Sequence, residues 1–313
     1  MDTSTVVAAD IMTQHLALTT PESHVMDAIE RLIAQQVSGL PVVDRNGVFV
    51  GRFSERSAIA ALDLAASHTS RANMDLGGIV AADIMDRNCL RLLSTQDVFD
   101  SASQLLVRRV SGAPVIDNDG SLRGVFSEQS AMHVFIGLCW EQLPSARVTA
   151  WLDRHDDRRI SESTTLDEIL NRFQTTPYRR LMVLHGKKLV GQITRQDALR
   201  AALANSREPL ATSRHLAGEQ QLGIRTTVKR WMQSEAVVTN KSADVLEIAQ
   251  QFLRTGARQL PVIENEEIKG QISRSDLLRA IQRFFPLDSS SDSDIQPLYL
   301  SSTNKRDAYS VVK

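Results

Sequence analysis

Cysteine is scarce in this chain: Cys89 and Cys139 are the only two in 313 residues. Neither stands in a Cys-x-x-Cys or related spacing, so a structural zinc, a redox dithiol and a disulfide framework all lack their residues. Two buried thiols in a reducing compartment are the reading that remains. Seven histidines are scattered without a His-x-x-x-His pair, so metal chemistry finds no support either. Charge of one sign is missing as well: 36 Lys and Arg face 37 Asp and Glu, a net charge of −1. That balance offers neither nucleic acid nor an anionic membrane as a partner. Long apolar runs are absent. Ala58–Ala66 and Ala131–Trp140 are interrupted by Asp63 and His133, and both fall short of the roughly 20 residues a membrane span needs. The N-terminus shows no basic stretch leading into an apolar one, which predicts a soluble, cytoplasmic protein. No nucleophile elbow, kinase signature or dinucleotide glycine run occurs, so an enzyme is not expected. Gly186-Lys187-Lys188 lacks the upstream glycine of a phosphate-binding loop and reads as a hairpin turn.

What the chain does have is an internal repeat. Shifted by 73 residues, Ala9-Asp10-Ile11-Met12 falls on Ala82-Asp83-Ile84-Met85, and Ser38-Gly39-Leu40-Pro41-Val42 on Ser111-Gly112-Ala113-Pro114-Val115. Gly51–Ala58 falls on Gly124–Ala131, and 20 of the 50 positions from Ala9 to Ala58 are identical without a gap. Two weaker copies follow. One runs from Trp151-Leu152 through Leu181-Met182-Val183 to Gly191-Gln192-Ile193-Thr194; the other from Trp231-Met232 through Leu260-Pro261-Val262 to Gly270-Gln271-Ile272-Ser273.

Each copy reads as β-α-β-β-α. In the fourth, a strand over Glu235–Thr239 leads to an amphipathic helix over Ala243–Thr255, with Val245, Ile248, Ala249, Phe252 and Leu253 on one face. A buried strand (Leu260–Ile263), a polar turn (Glu264–Glu267) and a second strand (Ile268–Ile272) follow. Ser273-x-x-Asp276 then opens the last helix as a capping box. In the first copy the hairpin turn is Asp44-Arg45-Asn46-Gly47. A unit of about 55 residues buries too little surface to stand alone, so the copies are expected to pair. The apolar segment Ala131–Trp140 has too few polar positions for a solvated helix and is expected to pack on a neighbouring copy or subunit.

The order of an Asp-Ile-Met start, a Gly-x-Pro-Val-x-Asp strand and a Gly-x-x-Ser/Thr-x-x-Asp strand-to-helix turn resembles the CBS domain. In that family two copies form a Bateman module. The resemblance covers residues 9–284 and implies an α/β (α+β) fold of four CBS motifs in two modules, similar to the γ subunit of AMP-activated kinase and to free-standing bacterial proteins. The boundaries that follow are 1–66, 79–142, 145–205 and 226–286, with 287–313 as a disordered tail. The resemblance also implies an adenosine ligand in clefts between paired copies. The turn hydroxyl would meet phosphate, the Asp three residues later the ribose hydroxyls, and basic residues before the Pro-Val strand the remaining phosphates.

One ionised carboxylate can accept both donors of a ribose diol, and phosphate requires cations and hydrogen-bond donors. Copy three keeps Thr194, Arg195 and Asp197, with Arg179 and Arg180 ahead of its strand; copy four keeps Ser273, Arg274 and Asp276, with Arg258. Copies one and two carry Ser57 and Ser130 in place of the Asp, Glu55 and Glu128 in place of the Arg, and Ser38-Gly39 and Ser111-Gly112 in place of the basic approach. They are not expected to bind a phosphorylated adenosine in the family's manner. Residues 1–146 hold 10 basic and 17 acidic side chains, whereas residues 147–230 hold 16 and 9, so the positive potential gathers around copy three. Taken alone, Thr194-x-x-Asp197 is an ordinary helix cap, and Arg154–Asp157 with Arg158-Arg159 are surface salt-bridge partners.

The expectation is therefore a non-catalytic sensor, needing no cofactor, that binds AMP, ADP or ATP in its C-terminal pair. It would act on an undetermined protein effector, either as a homo-oligomer such as a dimer or as a disc closed within one chain. The competing readings are a ligand-independent scaffold and a binder of another adenosine compound, S-adenosylmethionine or NAD.

Overall fold

The structure is a computed structural model that describes residues 6–68, 78–139, 148–154, 156–207 and 227–284. The expected tail (287–313), Trp140 and most of the two connections within the pairs lie outside the described residues. In chain order, repeat one comprises α1 (Ala8–Ile11), α2 (Val25–Ala34), β1 (Gly39–Val43), β2 (Phe49–Ser54) and α3 (Glu55–His68). Repeat two comprises α4 (Ala81–Ile84), β3 (Leu92–Leu93), α5 (Val98–Arg108), β4 (Gly112–Ile116), β5 (Leu122–Ser127) and α6 (Glu128–Cys139). Repeat three adds β6 (Arg159–Ser161), α7 (Leu166–Thr175), β7 (Arg180–His185), β8 (Lys188–Thr194) and α8 (Arg195–Arg207). Repeat four adds β9 (Thr239–Asn240), α9 (Val245–Thr255), β10 (Gln259–Glu264), β11 (Glu267–Ser273) and α10 (Arg274–Phe284).

The expected strand over Glu235–Thr239 is corrected to Thr239–Asn240, because only these two residues come alongside β10 and pair in parallel with Val262 and Ile263. Helix α9 begins two residues later than expected. Asp244 takes the cap position and exchanges hydrogen bonds with Glu247, side chain to backbone N–H in both directions. The hairpin turn of repeat four puts Asn265 and Glu266 at φ of 52° and 63°, and Gly186 turns the hairpin of repeat three at φ 60°.

Pairing rests on close approach at one glycine per repeat. A Cβ on Gly124 would lie 2.6 Å from Met12 Sδ, and one on Gly51 would lie 2.9 Å from Met85 Sδ. In the first module the Met that opens each repeat therefore packs against the bare backbone of its partner's second strand, reciprocally. In the second module a Cβ on Gly191 would lie 2.9 Å from Met232 Sδ, whereas one on Gly270 would meet the Asp153 carbonyl at 2.7 Å. Repeats one and two form one module, and three and four the other, as the resemblance implied. In the second module β6-β7-β8-β11-β10-β9 form one six-stranded sheet.

The two modules then share their cores. One apolar cluster joins repeat one to repeat three through Ile29, Leu32, Ile59 and Leu62 on one side and Ile169, Phe173, Leu199 and Leu203 on the other. A second joins repeat two to repeat four through Leu105, Met132, Phe135 and Ile136 against Ile248, Phe252, Leu278 and Ile281. Helix α6 therefore packs on a neighbouring repeat within its own chain, as its apolar sequence required.

Candidate functional site

The strand-to-helix turn is a cap in all four repeats, built from different atoms. Thr194 donates to Asp197 Oδ2 from its backbone N–H at 2.9 Å and from its hydroxyl at 2.6 Å. Ser273 does the same to Asp276 Oδ2 at 2.9 and 2.6 Å. In the first module Ser57 N–H donates to Ser54 Oγ at 3.2 Å and Ser130 N–H to Ser127 Oγ at 3.2 Å, with each hydroxyl pair 3.1 Å apart. Capping thus consumes one carboxylate oxygen and leaves the other. Asp276 Oδ1 is met by Arg279 at 3.1 Å and the side chain stays 23% exposed. Asp197 is more enclosed, at 7%: Arg200 donates to Oδ1 at 3.0 Å and the Gln233 amide reaches Oδ1 at 3.2 Å and Oδ2 at 3.1 Å.

Arg195 and Arg274 are placed otherwise than expected of phosphate ligands. Arg195 Nη2 donates to the Phe173 and Thr176 carbonyls at 2.9 and 3.1 Å, at the C-terminal end of α7. Arg274 donates to the Ala257 carbonyl at 2.8 Å and the Gly256 carbonyl at 2.5 Å, at the end of α9. Each guanidinium satisfies the unpaired carbonyls and dipole of a helix terminus. Burial pushes both down to about 10. The carboxylate of Glu55 opposes this at Arg195, and that of Glu128 opposes it at Arg274.

Those two carboxylates come from the other module. Glu55 is 6% exposed and Glu128 8%, and each stands where Arg195 and Arg274 stand in the later repeats. Glu128 accepts a hydrogen bond from the Ser275 hydroxyl across the module boundary. Nearby, Arg274 reaches Gln129 Oε1 at 3.2 Å, and Gln196 donates to the Val37 carbonyl at 2.9 Å. Burial raises the Glu55 carboxyl, while Arg258, Arg179 and Arg195 pull it back.

The basic residues ahead of the strands divide by role. Arg180 donates to Gln192 Oε1 at 2.7 Å and the Gln259 carbonyl at 3.3 Å, and Gln192 passes the chain on to Gln233 at 3.1 Å. Arg180, Gln192, Gln233, Asp197 and Arg200 therefore form one network, and burial pushes Arg180 down to about 10. The guanidinium groups of Arg179 and Arg258 make no hydrogen bond or ion pair among the described residues, while their backbone carbonyls accept from the Arg195 and Arg274 N–H groups at 3.2 Å. Burial lowers Arg179, and the positive charge of Arg258 adds to that lowering.

All four repeats open onto one central chamber of about 2240 Å³. Thr194, Arg195, Arg179, Arg180, Ser273, Arg274, Asp276 and Arg258 line it, whereas Asp197 lies behind Arg200 and Gln233. The structure thus brings eight of the nine expected residues to one space. It also adds residues that the sequence reading passed over: Arg52, Arg56, Arg108 and Arg109 from the first module, and Arg158. Arg109 could have been found from its offset of 73 to Gln36, since both take a left-handed turn, at φ 54° and 52°, just ahead of Val-Ser-Gly. Arg158 is a correction. It pairs with Asp153 at 2.6 Å on the chamber wall, with only 18% of its side chain exposed, and is not a surface partner. Among the described residues no group of three His, Cys, Asp or Glu side chains is placed to hold a metal ion, and no helix is long and apolar enough to cross a membrane.

Known proteins share this fold. The CBS-domain family model matches residues 7–64, 80–137, 154–204 and 228–283. The crystal structure of protein MJ1225 from Methanocaldococcus jannaschii, described as a candidate archaeal homologue of the AMP-activated kinase γ subunit, superposes with a TM-score of 0.74 at 18% identity, covering 88% of this chain and 99% of that one. In sequence MJ1225 is 23% identical over 202 residues, 63% of this chain and 68% of that protein. The chloroplastic CBSX2 of Arabidopsis thaliana is 29% identical over 139 residues, and the match spans 38% of this chain and 58% of CBSX2. CBSX2 has been crystallised in complex with AMP. The chain belongs to the CBS-domain family.

Proposed function

We propose that this four-repeat CBS-domain chain is a regulatory sensor with no reaction of its own, which holds an adenine nucleotide in the clefts of repeats three and four. The observation that carries the reading is the pair Arg179 and Arg258, two guanidinium groups without a partner among the described residues, facing one chamber that the carboxylate of Asp276 also lines. Half-buried cations without partners are costly unless an anion completes them. The Asp276 carboxylate supplies the complementary acceptor for ribose hydroxyls. AMP, ADP and ATP present both chemistries in one molecule.

Ligand that binds only the folded state stabilises it by mass action, by about 2.7 kcal/mol at a hundred times Kd. Melting temperatures would be measured with AMP first, since the CBSX2 relative holds it, then with ADP, ATP, NAD and S-adenosylmethionine. A rise with one or more adenine nucleotides is expected. A rise with S-adenosylmethionine alone would move the reading to that ligand. No rise with any of the five at millimolar concentration would leave the ligand-independent scaffold, which the shared apolar cores of the two modules favour because they need no ligand to close.

A further inference from the structure

The chamber wall carries twelve arginines and five carboxylates, in a chain whose net charge is only −1. Its volume is more than twice the upper end of the roughly 300–1,000 Å³ of a pocket for one small molecule. The two guanidinium groups without partners among the described residues, Arg179 from repeat three and Arg258 from repeat four, line this one chamber, and the positive charge of Arg258 bears on Arg179. One run of phosphates can therefore meet both.

Against that excess stand Glu55 and Glu128, nine-tenths buried and contributed by the module whose turns have lost their aspartates. Both are felt at Arg179, Glu128 the more strongly, and neither forms an ion pair among the described residues. Their positions are the equivalents of Arg195 and Arg274, so the first module presents negative charge where the second presents positive. The hydrogen bond that the second module gives Glu128 comes from a neutral donor, the Ser275 hydroxyl. A neutral donor leaves the full negative charge in place.

We infer that the central chamber is a polyphosphate site whose acceptance of charge is set by Glu55 and Glu128. This rests on the chamber being the nucleotide site, and it goes further by assigning selectivity to the module without the intact turns. The two carboxylates set negative charge near these arginines without pairing with them. An entering phosphate chain feels their repulsion in proportion to its own charge, inside a wall where Coulomb interactions are weakly screened. They thus hold back the most highly charged ligands while costing a monophosphate little.

The test is calorimetric titration of the full chain and of Glu55→Gln, Glu128→Gln and the double variant with inorganic phosphate, pyrophosphate and tripolyphosphate, and then with AMP and ATP. The amides keep the shape and remove the charge, and melting curves establish that each variant is folded. The double variant is expected to bind tripolyphosphate at least tenfold more tightly than the parent and phosphate less than threefold more tightly. The ATP-to-AMP affinity ratio should rise in step. Each single variant should give part of the effect, so an unfolded double variant still leaves a result to read. Equal gains for phosphate and tripolyphosphate, a loss of affinity, or no binding of tripolyphosphate by any folded variant would overturn the inference. The nucleotide reading fails separately: tripolyphosphate that binds and responds, with ATP binding no better than tripolyphosphate, would remove the adenosine and keep the charge rule. ATP binding with an unmoved ATP-to-AMP ratio would do the reverse.

Discussion

Ser57 and Ser130 donate their backbone N–H to the turn hydroxyls of Ser54 and Ser127, as Asp197 and Asp276 do to Thr194 and Ser273, yet only the aspartates also accept the turn residue's own N–H and keep a second oxygen beyond the cap. The next difference lies at the residue after the turn hydroxyl, Glu55 and Glu128 in one module and Arg195 and Arg274 in the other. The two halves of the chain differ in chemistry while keeping the repeat, because the cap and the close approach at one glycine per repeat define it while the remaining atoms of the turn are free to vary. The comparison also shows where the first module's glutamates stand. Its glutamates are not a mere loss of binding residues. They face the arginines of the second module across a shared core, and they belong to the same chamber.

The sharpest way to break the comparison is to remove cations from each half in turn. Arg179→Ala with Arg258→Ala should reduce nucleotide affinity by about 10²- to 10⁴-fold, since charge-assisted hydrogen bonds contribute about 1.5–3 kcal/mol each. Arg108→Ala with Arg109→Ala removes the same formal charge from the same wall. It lies in the module without ribose carboxylates, and its effect should stay below about tenfold. Isothermal titration decides. Equal losses from the two pairs would mean that the chamber reads total charge and that the halves do not differ in role.

A smaller effect separates the two intact turns. Asp276→Asn should weaken nucleotide binding by about ten- to a hundredfold, the loss of roughly 1.5–3 kcal/mol at a charged acceptor. Asp197→Asn disturbs the network through Arg200 and Gln233, so it should lower the melting temperature more and the affinity less. The reverse order would show that Gln233 moves aside and that cleft three is the principal ribose site.

Much of this was legible in the residues alone. The 73-residue offset placed the repeat, and the Ser/Thr-x-x-Asp spacing gave the caps at Thr194 and Ser273 with their correct partners. The equal spacing of Met12 to Pro41 and of Met232 to Pro261 was visible too, but the packing of Met12, Met85 and Met232 on a glycine of the paired repeat was not. The fate of Arg195 and Arg274 was hidden for a related reason. In sequence they neighbour the turn, whereas in space they neighbour the ends of α7 and α9, some twenty residues earlier. The chamber was hidden most deeply, because Glu55, Arg179 and Arg258 come from three repeats and meet only when the modules close. Local periodicity reports what one element buries; it is silent on which distant charges share that space.

The smallest effect is the one on stability, and it isolates the price of keeping Glu55 in the wall. Burial raises the Glu55 carboxyl above its ordinary value, and the opposing pull of Arg258, Arg179 and Arg195 does not cancel it. A carboxyl raised in the folded state contributes its stability fully below the unfolded value, near pH 4.5, and loses it as pH climbs through the folded value. Every tenfold change in acid dissociation is worth about 1.4 kcal/mol. Glu55→Gln removes this titration. The variant and the parent should therefore melt together in acid, and the variant should become the more stable as pH rises from 4.5 towards neutrality. His133 titrates in the same module with the opposite sense: burial lowers it from 6.5, so its contribution is present at neutral pH and lost in acid. Because His133 is common to both chains, the difference between their melting temperatures cancels it and leaves Glu55 alone. A gap that opens in the variant's favour above pH 4.5 is the expected result. A parent that stays the more stable at neutral pH would mean that attraction to the arginines outweighs desolvation, and that Glu55 is a structural ion-pair partner of the second module.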